Sequence, residues 1–352
     1  MTKETSISVR REESCRIVGG THLADAAPLL SGESEICLVY DENVAWVAGE
    51  LMGEVGASVR CAIAMDTSEP LKTMDTVLSV CRQLMEAGVS RKALLVAIGG
   101  GITTDLAGFA ASIYKRGIRY ANIPTTLLAQ VDAGIGGKTG VNLDGYKNML
   151  GVIVQPVFSF LCADTLKTLP PREFKAGLAE LLKTFLLADA SAYEDAIGLF
   201  SGMKTPGILP ALQPLIEKAA RIKAAIVQRD PYEQGERAQL NLGHTFAHAI
   251  EHEASQQGDD IRHGEAVAIG IILAARLSEQ VGIAENGLAD RLKADFAAIG
   301  LPTECPYPAD ALVAAMRNDK KSAGGKLTFV LPEAPGTVVL QTMQAPLTIC
   351  LE

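Results

Sequence analysis

The sequence predicts an α/β fold: a parallel sheet with flanking helices over residues 1–160, followed by an all-helical domain over residues 161–352. Three observations predict it. Apolar runs of strand length in the first part each stop at polar or glycine residues before a helix-like segment, as in an open parallel sheet. From about Asp164 the texture changes to Ala- and Leu-rich helical patterns that continue through about residue 318. A chain of 352 residues also exceeds what one hydrophobic core usually supports, so two domains are expected.

Taken in order, Ile36–Tyr40 ends at Asp41-Glu42-Asn43, Ala93–Ile98 ends at three glycines, and Tyr120–Ile123 ends at Pro124-Thr125-Thr126. Gly99-Gly100-Gly101 thus closes a buried strand and opens a helix. There a backbone without Cβ atoms could approach a pyrophosphate, and free N–H groups could bind it. Thr104 stands where the usual dinucleotide fingerprint has its third glycine. Gly136-Gly137-Lys138-Thr139 looks like the end of a P-loop, but Asp132 stands five residues before Gly137 and Leu127–Val131 reads as helix, so ATP is not implied. In the second part a Pro/Gly-punctuated segment near Gly202 to Pro214 interrupts the helices, and a strand-like tail, Lys326–Leu331, follows them.

Four of the five histidines, His244, His248, His252 and His263, fall in one stretch, which is best explained as a metal site. On a continuous helix Glu233, Arg237, Asn241, His244 and His248 would project within an arc of about 80°. Gly235 and Gly243 leave the start of that helix open, but the four-residue step from His244 to His248 survives any later start. Leu240, Leu242, Phe246 and Ile250 fall elsewhere around the axis, so the polar stripe would line a cavity. Thr245 stands where a zinc protease needs its glutamate base, which excludes that class.

The net charge is −9 and the basic residues are scattered, which argues against nucleic acid or an anionic membrane as partner and leaves small molecules. Seven cysteines without a CxxC pair indicate neither a disulfide framework nor a zinc knuckle and fit a reducing cytosol. The first residues contain no apolar signal core, and no run approaches a membrane span, so a soluble, unexported, cytoplasmic protein is expected.

Ordered motifs run through nearly the whole chain: Gly99 to Asp105, Tyr114 to Gly117, Pro124 to Asp132, Gly136 to Asn142, Lys147-Asn148, Thr168 to Glu173, Ala179 to Lys183, Leu240 to Phe246, and His263 to Val267. In this order they resemble the motifs of the 3-dehydroquinate synthase family. The resemblance implies a Rossmann-like, NAD-binding N-terminal domain and a helical metal- and substrate-binding domain, with the active site in the cleft between them. It further implies a homodimer that uses NAD and a divalent metal, zinc or else cobalt. The reaction implied converts 3-deoxy-D-arabino-heptulosonate 7-phosphate, a phosphorylated sugar acid, into 3-dehydroquinate plus phosphate, in the shikimate pathway to the aromatic amino acids.

The metal ligands implied are Glu180, His244 and His263, with Lys183 on the same helix face as Glu180. His248 resembles the proton-relay histidine, a residue type suited to proton transfer near neutrality. By resemblance Lys138, Asn148, Lys320 or Lys321, and Arg116 reaching across a dimer interface, grip the phosphate. Lys223 and Arg237 take the substrate carboxylate, and Asp132, Glu233 and Asn241 complete the network. For NAD the resemblance points to Asp41, Asn43, Glu69, Lys72, Gly100, Gly101, Ile102, Asp105, Thr125, Thr126 and Thr168, with Asp132, Lys138 and Lys147 beside them. Taken singly, Lys72, Lys147, Lys320 and Lys321 read as solvated surface charges. His22 and His252 match no role. Ala247 and Thr104 stand where the family usually has glycine. Inosose or valiolone synthases, whose substrates lack a carboxylate, and metal-dependent polyol dehydrogenases are the rival readings.

Overall fold

The computed structural model describes residues 14–144, 146–201, 208–319 and 326–344. In chain order the strands are β1 (Arg16–Gly20), β2 (Ile36–Asp41), β3 (Val59–Met65), β4 (Leu94–Gly99), β5 (Arg119–Pro124), β6 (Lys138–Leu143), β7 (Tyr146–Ile153), β8 (Phe158–Cys162), β9 (Lys326–Ala334) and β10 (Thr337–Gln344). The helices are α1 (Ala27–Leu30), α2 (Ala45–Val55), α3 (Met74–Glu86), α4 (Gly101–Ile113), α5 (Pro171–Ala188), α6 (Ala190–Phe200), α7 (Leu209–Arg229), α8 (His244–Gln257), α9 (His263–Gln280), α10 (Leu288–Ala298) and α11 (Ala309–Asp319).

Six strands form one parallel sheet in the order β1-β8-β5-β4-β2-β3. Its central strands are apolar on both faces because both are covered. Ile36 and Leu38 of β2 pack with α1 and α2, whereas Cys37 and Val39 pack with α3 and α4. The strand order reverses between β2 and β4, so the turns after these strands splay apart and open a crevice at the carboxyl ends. The three strands expected from the sequence are β2, β4 and β5; β1, β3 and β8 complete the sheet.

A larger apolar core joins α5 through α11. Into it reaches the segment after β5, where Leu127 and Leu128 enter a π-helical turn at Ala129–Ala133. The expected strand-like tail is β9, which pairs antiparallel with β10 and stacks Phe329 on Phe246 of α8. Strands β6 and β7 form a separate antiparallel pair. The Pro/Gly signal near 202–214 lies partly outside the described residues, and from Leu209 it is helix. Pro210 is tolerated in the first turn, whose N–H groups have no intrahelical partner. Pro214 lies inside the helix, and Gln213 beside it is buried with hydrogen bonds to the backbone of Leu161 and Ala163. Among the described residues no helix is long and apolar enough to cross a membrane.

The single helix expected from Glu233 onward does not form. Residues 236–241 make a short 3-10 segment, Gly243 turns left-handed at φ 77°, and α8 begins at His244. Helix α9 is the physical reason: a Cβ on Gly243 would lie 2.8 Å from the Ile271 backbone nitrogen. Gly264 makes a second close approach, since a Cβ there would lie 2.0 Å from the Ala176 carbonyl oxygen of α5. The first turn of α9 therefore rests directly on the backbone of α5, one turn before Glu180. We expect Gly264→Ala to cost about 1–3 kcal/mol, the usual range for overpacking a tight contact. A denaturant midpoint unchanged from wild type would show that the two helices are not in backbone contact.

Candidate metal and substrate site

Glu180 lies in the middle of α5 with 0% of its surface exposed, and neither carboxylate oxygen accepts a well-directed hydrogen bond. Its Oε1 faces two imidazoles, with His263 Nε2 at 3.3 Å and His244 Nε2 at 3.8 Å. Both histidines are the first residues of their helices, α9 and α8, and their rings meet edge to face with centroids 5.2 Å apart. One ligand atom from each of the three residues lies within 4.8 Å of the others. The outer ring nitrogens are engaged. His244 Nδ1 is 3.2 Å from the Leu242 carbonyl and His263 Nδ1 is 3.3 Å from Glu251 Oε1. Both partners only accept, so each ring donates from Nδ1 and turns Nε2 toward Glu180. A buried carboxylate whose Oε1 faces two inward-aimed imidazole nitrogens fits a divalent cation with room for further ligands.

Electrostatics agree. Burial disfavours the Glu180 carboxylate, but Lys183 and both histidines pull its pKa well below the usual range. Burial and Lys183 push His244 down to about 3. Burial also opposes charge on His263, yet its contacts with Glu180 and Glu251 raise it to about 10, so a proton and a cation compete for the same Nε2.

A line of alternating charges leads away from this trio. Lys183 Nζ is 2.5 Å from Glu180 Oε2 and 3.8 Å from Asp132 Oδ1, and Lys223 Nζ is 2.6 Å from the same Asp132 oxygen. Glu180 and Lys183 share a face of α5, as their spacing predicts. Asp132 sits on the π-helical turn, and its carboxyl is held at about 2: burial opposes ionisation, and the two lysines outweigh it. Nearby, Lys138 of β6 pairs with Glu233, which also accepts from Asn241 Nδ2 at 2.8 Å. Glu233 itself is left-handed, φ 58°. It thus meets Asn241 by a loop rather than by a shared helix face. Arg237 is buried, and its guanidinium braces two carbonyls, Pro231 O at 2.5 Å and Gly136 O at 3.2 Å.

The residues expected around a nucleotide follow the carboxyl ends of the sheet strands. Asp41 ends β2 and Asn43 follows it, Glu69 and Lys72 come after β3, Gly100 to Asp105 after β4, Thr125 and Thr126 after β5, and Thr168 after β8. Asp41 accepts from the Asn43 backbone at 2.8 Å and from Thr67 Oγ1 at 2.6 Å. Thr168 accepts from Trp46 Nε1 at 3.2 Å. Lys72 is not a solvated surface lysine. It is buried, and its Nζ donates at 2.6 Å both to Asp105 and to Asn148 of β7. Lys147 is likewise engaged, 2.9 Å from Glu251.

Arg116 is exposed on a turn after α4, where Lys115, Arg116 and Gly117 all have positive φ; among the described residues it makes no hydrogen bond or ion pair. Lys320 and Lys321 lie outside the described residues. His22 pairs with Asp164 at the surface and His252 is exposed, both away from the trio.

Sequence reasoning missed two features. Glu251 lies seven residues after His244, two helical turns along the same face of α8, which was the available signal. Arg172 at the start of α5 grips Glu265 through two contacts of 2.7 Å and Asp260 at 2.9 Å, while Arg262 pairs with Glu173 at 2.7 Å. This clasp fixes the start of α9, and so His263, against α5.

Comparison with known proteins places these features in context. The family model described as 3-dehydroquinate synthase N-terminal matches residues 62–176, and that described as 3-dehydroquinate synthase C-terminal matches residues 177–322. A 3-dehydroquinate synthase of Nitrobacter hamburgensis is 39% identical over 345 residues, 93% of this chain and 88% of that protein. One of Shewanella piezotolerans is 38% identical, covering 96% and 94%. Among solved structures, a 2-epi-5-epi-valiolone synthase from Streptomyces hygroscopicus with NAD+ and Zn2+ bound superposes at a TM-score of 0.86 with 29% identity, covering 99% of this chain and 97% of that one. A 2-deoxy-scyllo-inosose synthase complexed with carbaglucose-6-phosphate, NAD+ and Co2+ gives 0.79 and 25%, covering 94% and 93%.

The geometry predicts that Glu180→Ala and His263→Ala lose a bound divalent metal, because dropping one of three protein ligands weakens binding greatly. Elemental analysis of dialysed protein, with circular dichroism to establish folding, checks this. Wild-type metal content in both folded variants would refute the ligand set.

Proposed function

This chain belongs to the 3-dehydroquinate synthase family, and from that premise we propose how its cleft converts 3-deoxy-D-arabino-heptulosonate 7-phosphate into 3-dehydroquinate and phosphate. The enzyme depends on NAD and a divalent metal. The observation that carries the residue assignment is the pair of buried ammonium groups, Lys183 and Lys223, sharing Asp132 beside the Glu180–His244–His263 trio. A dehydrogenase acting on a neutral polyol has no use for buried cations, whereas a doubly anionic substrate does.

NAD supplies reversible oxidation at C5 of the substrate, and the metal supplies Lewis-acid polarisation of its hydroxyls. Glu180, His244 and His263 hold the metal. Lys183 neutralises Glu180 from the far side and keeps the carboxylate aimed at the imidazoles. Lys223 and Arg237 take the substrate carboxylate, with Asp132 fixing the Lys223 ammonium. Lys138, Asn148 and a residue of the Lys320-Lys321 pair take the phosphate. His248, one turn after His244 on α8, resembles the family's proton-relay histidine and would relay a proton during the loss of phosphate. Burying the substrate among these groups excludes water while the ketone is present.

The same reading puts the site in the cleft between the two halves; the division expected at residues 160 and 161 falls inside β8, and the separate apolar cores support a division after that strand instead. It also places Arg116 in the site of a second subunit of a homodimer. The exposure of Arg116 on a turn with positive φ supports this. Free thiols at all described cysteines support a cytoplasmic setting.

Incubation with the heptulosonate phosphate, NAD and zinc is expected to release phosphate without net NADH, and chelation to stop turnover. Stoichiometric NADH would refute the cyclase assignment, and preferential turnover of a sugar phosphate that lacks a carboxylate would refute the carboxylate clamp. Arg237→Lys is expected to lower kcat/KM by about 2 kcal/mol, because an ammonium cannot reproduce a planar two-pronged contact. It should also lower stability by about 1 kcal/mol through the lost brace to Pro231 and Gly136. Unaltered kcat/KM in a destabilised variant would leave Arg237 a brace alone.

A further inference from the structure

Glu251 is the one carboxylate in the cluster that touches a metal-ligand candidate from outside the trio. Its side chain is only 12% exposed and its Oε1 makes two contacts, with His263 Nδ1 at 3.3 Å and with Lys147 Nζ at 2.9 Å. A carboxylate can only accept, so the imidazole donates from Nδ1. Because the two ring nitrogens sit on opposite edges, pinning one aims the other at Glu180. An anionic acceptor also makes the far nitrogen a better donor to a cation. The second contact is long-range: Lys147 belongs to β7, in the hairpin that carries Lys138 and Asn148, whereas Glu251 belongs to α8.

We propose that Glu251 is a positioning residue that orients His263 and ties the metal centre to the β6–β7 hairpin, so that metal binding and hairpin order reinforce each other. The proposal rests on the reading of Glu180, His244 and His263 as metal ligands. By linkage, whatever orders the hairpin must then tighten metal binding by the same factor. An ordinary surface ion pair would contribute little and would leave the metal untouched.

The test uses the full chain loaded with cobalt(II), comparing wild type, E251A, E251Q, K147M and E180A. Metal affinity is read by chelator competition, ligand geometry by visible absorption, and hairpin order by hydrogen exchange of residues 146–153. E251A is expected to bind cobalt about 10- to 100-fold more weakly, with shifted absorption bands. E251Q, which keeps an acceptor without the charge, should fall between and carries the test if E251A does not fold. Cobalt should slow exchange of the hairpin in wild type but not in E251A or K147M, and K147M should keep the wild-type spectrum. Wild-type affinity and spectrum in both Glu251 variants would overturn the proposal, as would hairpin protection that persists in E251A. If E180A has lost cobalt in the same series, such a result removes only the role of Glu251; if E180A retains cobalt, the ligand reading itself fails.

Discussion

The constraint on which the structure turns is the burial of one negative charge. Glu180 has no exposed surface, and an unpaired carboxylate in that setting would cost many kcal/mol. The protein compensates with a chain of alternating charges, from Lys223 through Asp132, Lys183, Glu180, His263 and Glu251 to Lys147. Those seven residues come from α7, the π-helical turn, α5, α9, α8 and β7, so the chain of charges joins the helical half to the β6–β7 hairpin and to the segment after β5. Removing one member of a buried pair typically costs about 3–5 kcal/mol, mostly because its partner is left uncompensated. The active-site electrostatics and the packing of the helical half are therefore a single problem with a single solution.

That solution requires the helices to approach closely, and glycine permits it. Gly264 lets α9 rest on α5, and Gly243 lets the chain turn sharply against α9 before α8 starts. Both bring a histidine to the first position of a helix, where a side chain can reach inward without crossing a neighbouring turn. The nucleotide edge is solved separately. Parallel strands place all their carboxyl ends on one side, and the reversal between β2 and β4 opens a crevice beside Gly100 and Gly101. The two constructions meet at the turn after β5, where Thr125 and Thr126 follow the sheet and Asp132 faces the helical half.

Much of this was legible in the sequence because it is local. Apolar runs marked β2, β4 and β5, three glycines marked the turn into α4, and the spacing of Glu180 and Lys183 placed them on one face. What failed was inference across a long-range contact. The stripe from Glu233 to His248 has helical spacing, but α9 occupies the space a helix there would need, so tertiary packing overrode local pattern. Glu233 and Asn241 still meet, through a left-handed residue and a hydrogen bond that no periodicity encodes. Lys72 looked like a surface lysine because its partner Asp105 is 33 residues away, and Lys147 is indeed exposed but its contact with Glu251, 104 residues away, was not legible. Strands β1 and β8 gave no signal for a similar reason, since their pairing joins Arg16 to Phe158.

The pairing of the cations bears on selectivity. Lys72, Lys138, Lys147, Lys183 and Lys223 each have a carboxylate partner within the chain. An incoming anion does not meet bare ammonium groups; it must displace or share with an existing carboxylate. A weakly basic or poorly placed anion gains little from such an exchange, while one that reaches several lysines at once replaces several partners together. Lys138 is the most accessible of the five apart from Lys147, and its partner Glu233 also accepts a hydrogen bond from Asn241. Lys72, Lys183 and Lys223 are all buried, and the last two share Asp132, so an anion reaching Lys223 must enter with its own water removed. On the proposed reading, exposed Lys138 at the hairpin suits the substrate's phosphate and buried Lys223 beside Asp132 suits its carboxylate.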